Sequence, residues 1–422
     1  MSGPALAVGR RGAFGFALAY SALYFFPFPL NALPGGWGLA RAVSAGTWGH
    51  LVPWVARAVL RLPQAVAQVP TNSGDSAFAW VQWACTVGLA ALFAVAWAAF
   101  MRPERASSPQ LREWLRTYVR FAVGWTLLGY GFAKVFPMQF GWLPERLIEP
   151  YGESSPQALL WTFMGFSRPY QVFTGLAEVL GGALLFFRRT TTLGALLLAG
   201  VLANVAALNY CYDVPVKLSS THLLLFAVAL LAPEVRRLAS AVLLDRGVEP
   251  RAPAPPLFQR PRWTLAARVT GVLFAAYQLF NGVTGGISAA ASMAEAARAS
   301  PIAGLYRVER HQDQEAPPGA PVSELDHGPW IRVAAGASSF GVLFADGTFR
   351  RYWARLDAPA RALVLSRKDL DGTITLHWER SDAGQLVLRG DRFAVHLAPM
   401  DPADSMLLSR GFHWVSEYTF NR

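Results

Sequence analysis

The sequence has few cysteines, few lysines and little charge of either sign. Two cysteines in 422 residues, Cys85 and Cys211, cannot form a disulfide scaffold, a CxxC redox motif or a zinc site. Charged residues make up 15% of the chain, against about 25% in a typical soluble domain. Apolar residues make up 53%, which leaves too little polar surface to cover a soluble protein of this size. The composition excludes a soluble enzyme and a disordered chain, and it predicts a polytopic membrane protein with a water-facing part.

Motifs of the common catalytic sites are also missing. The chain has no GxGxxG after a strand, no P-loop, no HExxH and no GxSxG. Asp369-x-Asp371-Gly372 lacks the downstream Glu of a calcium loop, so it predicts a turn, and we expect no metal site. The net charge of +11 lies in residues 1–302, because residues 303–422 hold 14 basic and 15 acidic residues. Such a distribution fits short basic membrane loops and does not favour a nucleic-acid partner.

Long apolar runs are what the chain does have. Seven runs are close to the ~20 residues that a helix needs to cross a bilayer. They are residues 12–30, 77–100, 117–136, 169–187, 191–209, 218–233 and 264–284. The first run follows Arg10 and Arg11 like a signal peptide, but it is long, aromatic and without a clean cleavage site, so we expect it to be retained.

Arginine counts predict the sidedness. With the N-terminus inside, the inner segments hold 14 arginines and the outer segments hold seven basic residues. An odd number of spans then places residues 285–422, which include the last 120 residues, outside the membrane. Residues 48–62 and 155–166 read as helices along the lipid headgroups or, alternatively, as a lid over a site that opens outward. We therefore predict a multi-pass protein of the bacterial inner membrane, with a Pro-rich inner loop at residues 247–262.

The last 120 residues have a different pattern. Short runs that alternate polar and apolar residues are separated by turn signals such as Asp346-Gly347 and Gly390-Asp391. The spacing predicts an all-β meander that forms a barrel or a sandwich. About eight strands would close a small barrel, filled by side chains or holding one small ligand. The aromatic tail, with Phe412, His413 and Trp414, is expected to pack on the barrel or on the outer membrane face.

Polar residues within the apolar runs mark a candidate site, because ionisable groups are costly in lipid and are often functional. The catalytic candidates are Lys134, Glu178, Asp213 and Lys217, and the ligand-binding candidates are Tyr130, Asn204, Asn209, Tyr212 and His222, with Tyr210 beside them. Two of the three lysines in the chain lie in this set, and lysine is the basic residue whose protonation changes readily on burial. Lys134 or Lys217 could pair with Asp213 and only orient helices. Glu178 could be a neutral hydrogen-bond partner of Asn204, or a proton carrier.

Residues 114–238 resemble the DoxX-like family of four-helix bacterial membrane proteins. The resemblance rests on Gly and Lys late in RFAVGWTLLGYGFAKVF, on the stretch GLAEVLGG, and on the basic turn before the next helix. It implies a four-helix core, with Lys134 and Glu178 at the matching positions, and a possible quinone cofactor. Around that core, the apolar runs and the strand pattern predict three further domains, which the family pattern lacks: 1–113 with two spans and an interfacial helix, 239–302 with the inner loop and the seventh span, and 303–422 as the β domain.

Two main hypotheses about function follow. In the first, a quinone or another lipophilic redox partner binds between spans three to six, as in a membrane oxidoreductase subunit. In the second, the protein is a non-enzymatic anchor whose outer β domain binds a ligand or a periplasmic partner protein. A looser resemblance to the membrane part of vitamin-K-dependent carboxylases gives a third alternative.

Overall fold

The computed structural model describes residues 4–68, 73–102, 104, 108–141, 143–250, 253, 255–314, 324–326, 328–367, 372–380 and 385–418. The chain divides into two compact units. A helical unit comprises residues 1–139 and 168–287, and a barrel unit comprises residues 140–167 and 288–422. Residues 140–167 therefore cluster with the β domain, although the sequence analysis assigned them to the helical core.

Helices occupy all seven predicted apolar segments. The longer helices are α1 Pro4–Phe25, α2 Gly36–Ala58, α3 Ala77–Phe100, α4 Pro109–Val135, α5 Pro156–Phe166, α6 Arg168–Phe186, α7 Thr191–Cys211, α8 Lys217–Leu231 and α9 Pro261–Ala299. Three helices of the described chain are long and apolar enough to cross a membrane, fewer than the seven predicted. They are Ala77–Phe100, Thr191–Cys211 and Lys217–Leu243, the last of which continues beyond α8. The number of spans therefore remains a prediction.

The two segments predicted to lie along the headgroups are helical. The segment predicted at residues 48–62 belongs to a longer helix, because α2 starts at Gly36 and ends at Ala58. α5 begins as the sequence predicts, since the Ser155 hydroxyl accepts a hydrogen bond from the backbone N–H of Ala158 and Pro156 occupies the first turn. Their position in the headgroup layer is a prediction that the fold leaves open.

The C-terminal residues form a closed barrel, which decides between the predicted barrel and sandwich. Its strands are β1 Gly304–Asp313, β2 Trp330–Ala335, β3 Ser339–Phe344, β4 Phe349–Asp357, β5 Ala362–Ser366, β6 Ile374–Arg380, β7 Leu386–Arg389 and β8 Phe393–Met400. Each strand is antiparallel to the next, and β8 pairs with β1 to close the sheet. Alternate side chains form one buried apolar cluster that includes Phe340, Tyr352 and Leu376. The described interior is thus filled by side chains, as one of the two predicted alternatives has it.

Two predicted hairpin turns are formed. In the β3–β4 hairpin, the N–H of Phe344 donates to the carbonyl of Thr348, and the three residues between them form the turn, with Gly347 in the left-handed conformation (φ +86°). Asp391 begins the tight β7–β8 turn, in which the N–H of Gly390 bonds to the carbonyl of Phe393. The predicted turns at Asp371 and at residues 383–384 lie outside the described residues.

The aromatic tail does not pack on the barrel. Phe412, Trp414 and Tyr418 are 79%, 91% and 86% exposed, and His413 is exposed as well. The prediction of a barrel contact is therefore wrong for these side chains. The alternative contact, with the membrane surface, stays a prediction.

Candidate functional site

One face of α4 carries a seven-residue repeat of buried residues, and three of its four members are charged. Glu113, Arg120, Leu127 and Lys134 lie seven residues apart, and all four are buried. Because seven residues are nearly two helical turns, these side chains share one side of the helix. This side packs against α6, the neighbour with which α4 has its most extensive contact. This spacing therefore places Lys134 beside α6, the helix that carries Glu178.

Glycines set the distance between α4 and α6. A Cβ atom on Gly175 would lie 2.7 Å from the carbonyl oxygen of Gly131 and 2.8 Å from the Cβ of Lys134. A Cβ on Gly131 would meet the carbonyl of Gly175 at 2.8 Å. Gly124 and Gly182 make a second close approach two turns away. Small residues at such positions let helix backbones approach closely, which gives the side chains beside them a fixed separation.

Lys134 and Glu178 form a buried ion pair at this close approach. The Lys134 Nζ lies 2.8 Å from the Glu178 Oε2, and the two residues are 6% and 2% exposed. The predicted partners, Asp213 for Lys134 and Asn204 for Glu178, are therefore wrong. The Lys134 ammonium also lies 5.8 Å from the centre of the Tyr130 ring. Of its three N–H donors, one is used by a hydrogen bond within the described residues.

Two further buried charges were missed by the sequence analysis. The Arg120 guanidinium donates to the carbonyl oxygens of Leu185 and Phe186, at 2.8 and 2.9 Å. These carbonyls belong to the last turn of α6, where a cation also complements the helix dipole. Glu113 lies 3.3 Å from Arg188 just beyond that helix. The seven-residue spacing that ends at Lys134 was the signal that could have identified both residues.

Asp213 and Lys217 form a separate pair at the α7–α8 turn. The Lys217 Nζ lies 2.7 Å from the Asp213 Oδ1, which agrees with one predicted pairing. The Asp213 side chain is 85% exposed, so water screens this pair strongly. Asp75, which the sequence analysis did not single out, accepts hydrogen bonds from the backbone N–H groups of Lys217 and Leu218 at the start of α8. The carboxylate acts there as an N-cap supplied from the loop before α3.

His222 is held by a chain of hydrogen bonds. Its Nδ1 lies 2.6 Å from the carbonyl oxygen of Leu218, and its Nε2 lies 2.5 Å from the Tyr20 hydroxyl. The Trp83 indole N–H donates to the same hydroxyl at 3.1 Å. Because a carbonyl only accepts, the Nδ1 atom of His222 carries a proton and donates it to the Leu218 carbonyl. Both ring nitrogens are occupied, which argues against the predicted ligand-binding role.

The remaining predicted ligand-binding residues do not join the ion pair. Asn204, Tyr210 and Tyr212 are exposed, and the Tyr210 hydroxyl lies 3.2 Å from the Thr221 hydroxyl. Asn209 is buried, and its amide nitrogen has no hydrogen-bond partner within the described residues. The structure thus brings together Lys134, Glu178 and Tyr130 and leaves the others apart.

One cavity of the described chain lies away from the ion pair. A cavity of about 790 Å³ lies between the starts of α4 and α9, lined by aromatic residues such as Trp114, Phe258 and Trp263. Trp114 precedes Lys134 by 20 residues, or roughly 30 Å of helix, so this cavity does not reach the ion pair. No group of three or more metal-ligating side chains occurs in the part of the chain that the structure describes. Cys85 is buried and free, and Cys211 is exposed and free.

Comparisons with known proteins identify one similar sequence. Over 127 residues, the chain is 32% identical to the protein described as "Uncharacterized protein YwoB" from Bacillus subtilis (strain 168). The match covers 30% of this chain and 81% of the Bacillus protein. No family model matches the chain. No solved structure matches it either. The resemblance to the DoxX-like family therefore stays a prediction.

Proposed function

The chain belongs to the same family as YwoB of Bacillus subtilis, and we propose that it is a membrane anchor that holds a β-barrel domain for binding a partner. In this proposal the helical unit is not a catalytic centre. Its buried charges fix how the helices pack, and the barrel unit makes the specific contact.

The sealed Lys134–Glu178 pair carries this proposal. Both residues are more than nine-tenths buried, and each neutralises the other at 2.8 Å. Arg120 is likewise satisfied by two carbonyl groups at the end of α6. A charge that is paired inside a bundle supports a role in holding helices in register, because breaking such a pair is costly. A substrate site would instead need a cavity that reaches the charged atoms.

The proposed topology follows from the arginine distribution. We place the N-terminus in the cytoplasm of a bacterial cell and the barrel unit on the outer side of the inner membrane. All seven apolar helices cross the bilayer in this arrangement, including those whose charged residues make them less apolar. The three helices that satisfy the length and composition requirements support the membrane location.

The outer wall of the barrel is the proposed contact surface. Trp353 on β4 is 66% exposed, and Ile331 on β2 is 41% exposed. A large exposed aromatic ring is a frequent anchor of protein–protein contacts. The proposed partner is a protein outside the inner membrane, with a small ligand of the barrel wall as the other outcome of the test.

Site-directed photocrosslinking in intact cells tests the anchor. A photoreactive phenylalanine analogue at Trp353 should yield a discrete protein adduct. The same analogue at Leu92, which is 70% exposed on α3, should yield none, and a Lys134→Met/Glu178→Gln variant should keep the Trp353 adduct. Adducts that form at Leu92 but not at Trp353 would contradict a partner contact through the barrel.

A quinone-linked redox function is the second candidate, and one observation favours it. The Lys134 ammonium has two N–H donors without a described acceptor, and the neighbouring Tyr130 is 42% exposed. A quinone carbonyl is an acceptor that suits such a donor, and the resemblance to the DoxX-like family implies this cofactor. Lys134 would then hold the carbonyl oxygen, and Glu178 would accept or deliver a proton.

Solvent extraction of the purified protein separates the two candidates. The anchor proposal predicts far less than one quinone per chain, with the same content in wild type and in Lys134→Met/Glu178→Gln. The redox candidate predicts about one quinone per chain, lost in that variant. Equal stoichiometric binding in both proteins would place the quinone away from Lys134.

A further inference from the structure

Hydrogen bonds hold the walls of the cavity between the starts of α4 and α9 in place. The indole N–H of Trp114 and the side-chain amide of Gln110 both donate to the carbonyl oxygen of Leu257, at 3.0 and 2.8 Å. The ring of Phe258 stands perpendicular to the ring of Trp114, with 5.1 Å between the ring centres. The segment before α9 is therefore fixed against α4, and the cavity between them is formed without a ligand.

The described lining of this cavity carries one charge of each sign. Glu104 is its acidic member and Arg260 is its basic member. Both side chains are exposed, and neither has a hydrogen bond or an ion pair within the part of the chain that the structure describes. A ligand that complements this lining therefore carries both a cationic and an anionic group.

The aromatic side of the cavity suits the cationic group. Trp114, Phe258 and Trp263 line it together, and the faces of such rings attract cations, most strongly in tryptophan. The side-chain nitrogen of Gln110 is used on Leu257, so its oxygen is left to accept a hydrogen bond. This oxygen and a carboxylate favour a primary ammonium, which donates three hydrogen bonds, over a quaternary one, which donates none.

The basic side of the cavity suits a phosphate. The guanidinium of Arg260 presents its N–H groups in a fork that matches two phosphate oxygens. The Ser108 hydroxyl accepts a hydrogen bond from the backbone N–H of Leu111 and keeps its own proton to donate. A volume of about 790 Å³ is within the usual range for small-molecule sites, so an ammonium and a phosphate of one ligand fit together.

We propose that this cavity binds the phosphoethanolamine headgroup of a membrane phospholipid, with the ammonium between the rings and Glu104 and the phosphate on Arg260. The assignment to a lipid rests on the proposed topology, in which α4 and α9 both start at the inner face of the membrane. Trp114 and Trp263 are 39% and 53% exposed, and indole rings concentrate at the level of the lipid headgroups. The site is separate from the proposed partner contact on the barrel.

Native mass spectrometry of the full chain in detergent tests the headgroup. During titration with phosphatidylethanolamine, wild type should retain one lipid per chain. Phosphatidylglycerol lacks the ammonium and phosphatidylcholine lacks its N–H donors, so both should bind about fivefold more weakly. A wild-type protein that binds the three lipids equally would overturn the proposal.

Three exposed lining residues divide the headgroup into its parts. Arg260→Gln should weaken both phosphatidylethanolamine and phosphatidylglycerol by about fivefold, because both lipids carry the phosphate. Glu104→Gln should weaken phosphatidylethanolamine several-fold without weakening phosphatidylglycerol, because it removes only the partner of the ammonium. Trp263→Leu should weaken phosphatidylethanolamine several-fold as well. A Glu104→Gln variant that loses affinity for both lipids equally would contradict the proposed orientation.

Matched controls separate the site from general lipid binding. Arg262 follows Arg260 by two residues and lies outside the described lining, and Trp54 on α2 is 61% exposed. Arg262→Gln and Trp54→Leu should therefore bind phosphatidylethanolamine as wild type does. Equal affinity in Arg260→Gln and Arg262→Gln would overturn the proposal. The adduct at Trp353 should persist in Arg260→Gln, so failure of the lipid site and failure of the anchor are told apart.

Discussion

The two units of this protein place their charged residues in different surroundings. In the helical unit, Lys134, Glu178 and Arg120 are buried, and each has a polar partner within the bundle. The barrel unit also buries a charge, because Glu145 is fully buried and its carboxylate lies 3.8 Å from the guanidinium of Arg351 on β4. Glu324 illustrates the barrel arrangement, because it pairs with Arg350 and Arg367 where all three side chains are about one-quarter exposed. The comparison shows that the helical unit pairs its buried charges across a close contact between two helices, whereas the barrel unit pairs Glu145 with a strand arginine that is one-third exposed.

The physical reason lies in the surroundings of each unit. A strand of a small barrel points alternate side chains into the core and outward, so every charge can be placed on the outer side. A helix that crosses a bilayer has no watery face at its centre. In the proposed topology α4 and α6 both cross the bilayer, so a charge on them must find its counter-charge inside the bundle, and the glycine contacts between the two helices bring the charges close together.

Breaking the buried pair should have the largest effect. Lys134→Met leaves the Glu178 carboxylate buried without its counter-charge, which should lower the free energy of unfolding by about 3–5 kcal/mol. Lys217→Met removes one partner of the exposed pair with Asp213 and should cost about 0–1 kcal/mol. Unfolding of the full chain in mixed detergent micelles, followed by circular dichroism, measures both.

The double variant sharpens this result. Lys134→Met/Glu178→Leu removes both charges and should recover most of the stability lost in Lys134→Met, because no buried charge remains uncompensated. If the double variant loses as much unfolding free energy as the two single variants together, the two charges do not stabilise the bundle as a pair.

A cavity in the barrel should have the next largest effect. Leu376 is fully buried in the interior cluster, and Leu376→Ala should destabilise the barrel by about 2–5 kcal/mol. Trp353→Ala on the outer wall should change stability by less than about 0.5 kcal/mol. Hydrogen exchange of β6 peptides, measured on the full chain, reports the barrel separately. Equal hydrogen-exchange rates of the β6 peptides in Leu376→Ala and Trp353→Ala would show that the buried cluster does not stabilise the barrel.

The sequence predicted the strands of the barrel unit more completely than the ion pairs of the helical unit. The strands were predictable because alternation and turn residues are local signals, and Gly347 and Gly390 lie in turns as expected. The partner of Lys134 was not predictable, because the sequence offers both Glu178 and Asp213 as counter-charges. The choice between them depends on helix rotation and on the approach of Gly131 to Gly175, which are long-range features. The seven-residue spacing would have identified Arg120, since periodicity is a local signal too.

Widening the contact between α4 and α6 should lower the free energy of unfolding by an intermediate amount. Gly175→Ala places a methyl group 2.7 Å from the Gly131 carbonyl oxygen, and the resulting strain should cost about 1–3 kcal/mol. Gly129→Ala, on the exposed side of α4, meets nothing within 4 Å and should be neutral or slightly stabilising. The same micelle unfolding measurement compares the two. If Gly175→Ala is as stable as Gly129→Ala, the close approach is not what holds the ion pair.

The smallest expected effect concerns a titratable group in the barrel. Burial, followed by the nearby Glu324 carboxylate, raises the pKa of Tyr352 to about 12 from an ordinary value near 10. The neutral phenol is therefore favoured in the folded barrel. Its contribution to stability is complete below pH 10 and should be lost as the pH rises from about 10 to 12, because the unfolded chain ionises first.

Calorimetric unfolding of wild type and Tyr352→Phe across this pH range measures the Tyr352 contribution. The variant should lose less stability with rising pH, whereas its stability at neutral pH reflects only the missing hydroxyl. Glu324→Gln should bring the pKa of Tyr352 closer to 10, because it removes a negative charge whose carboxylate oxygen lies 3.4 Å from the phenol. Parallel slopes in all three proteins would mean that the charge of Glu324 does not reach the barrel interior, and the contrast between the two units would then be even stronger.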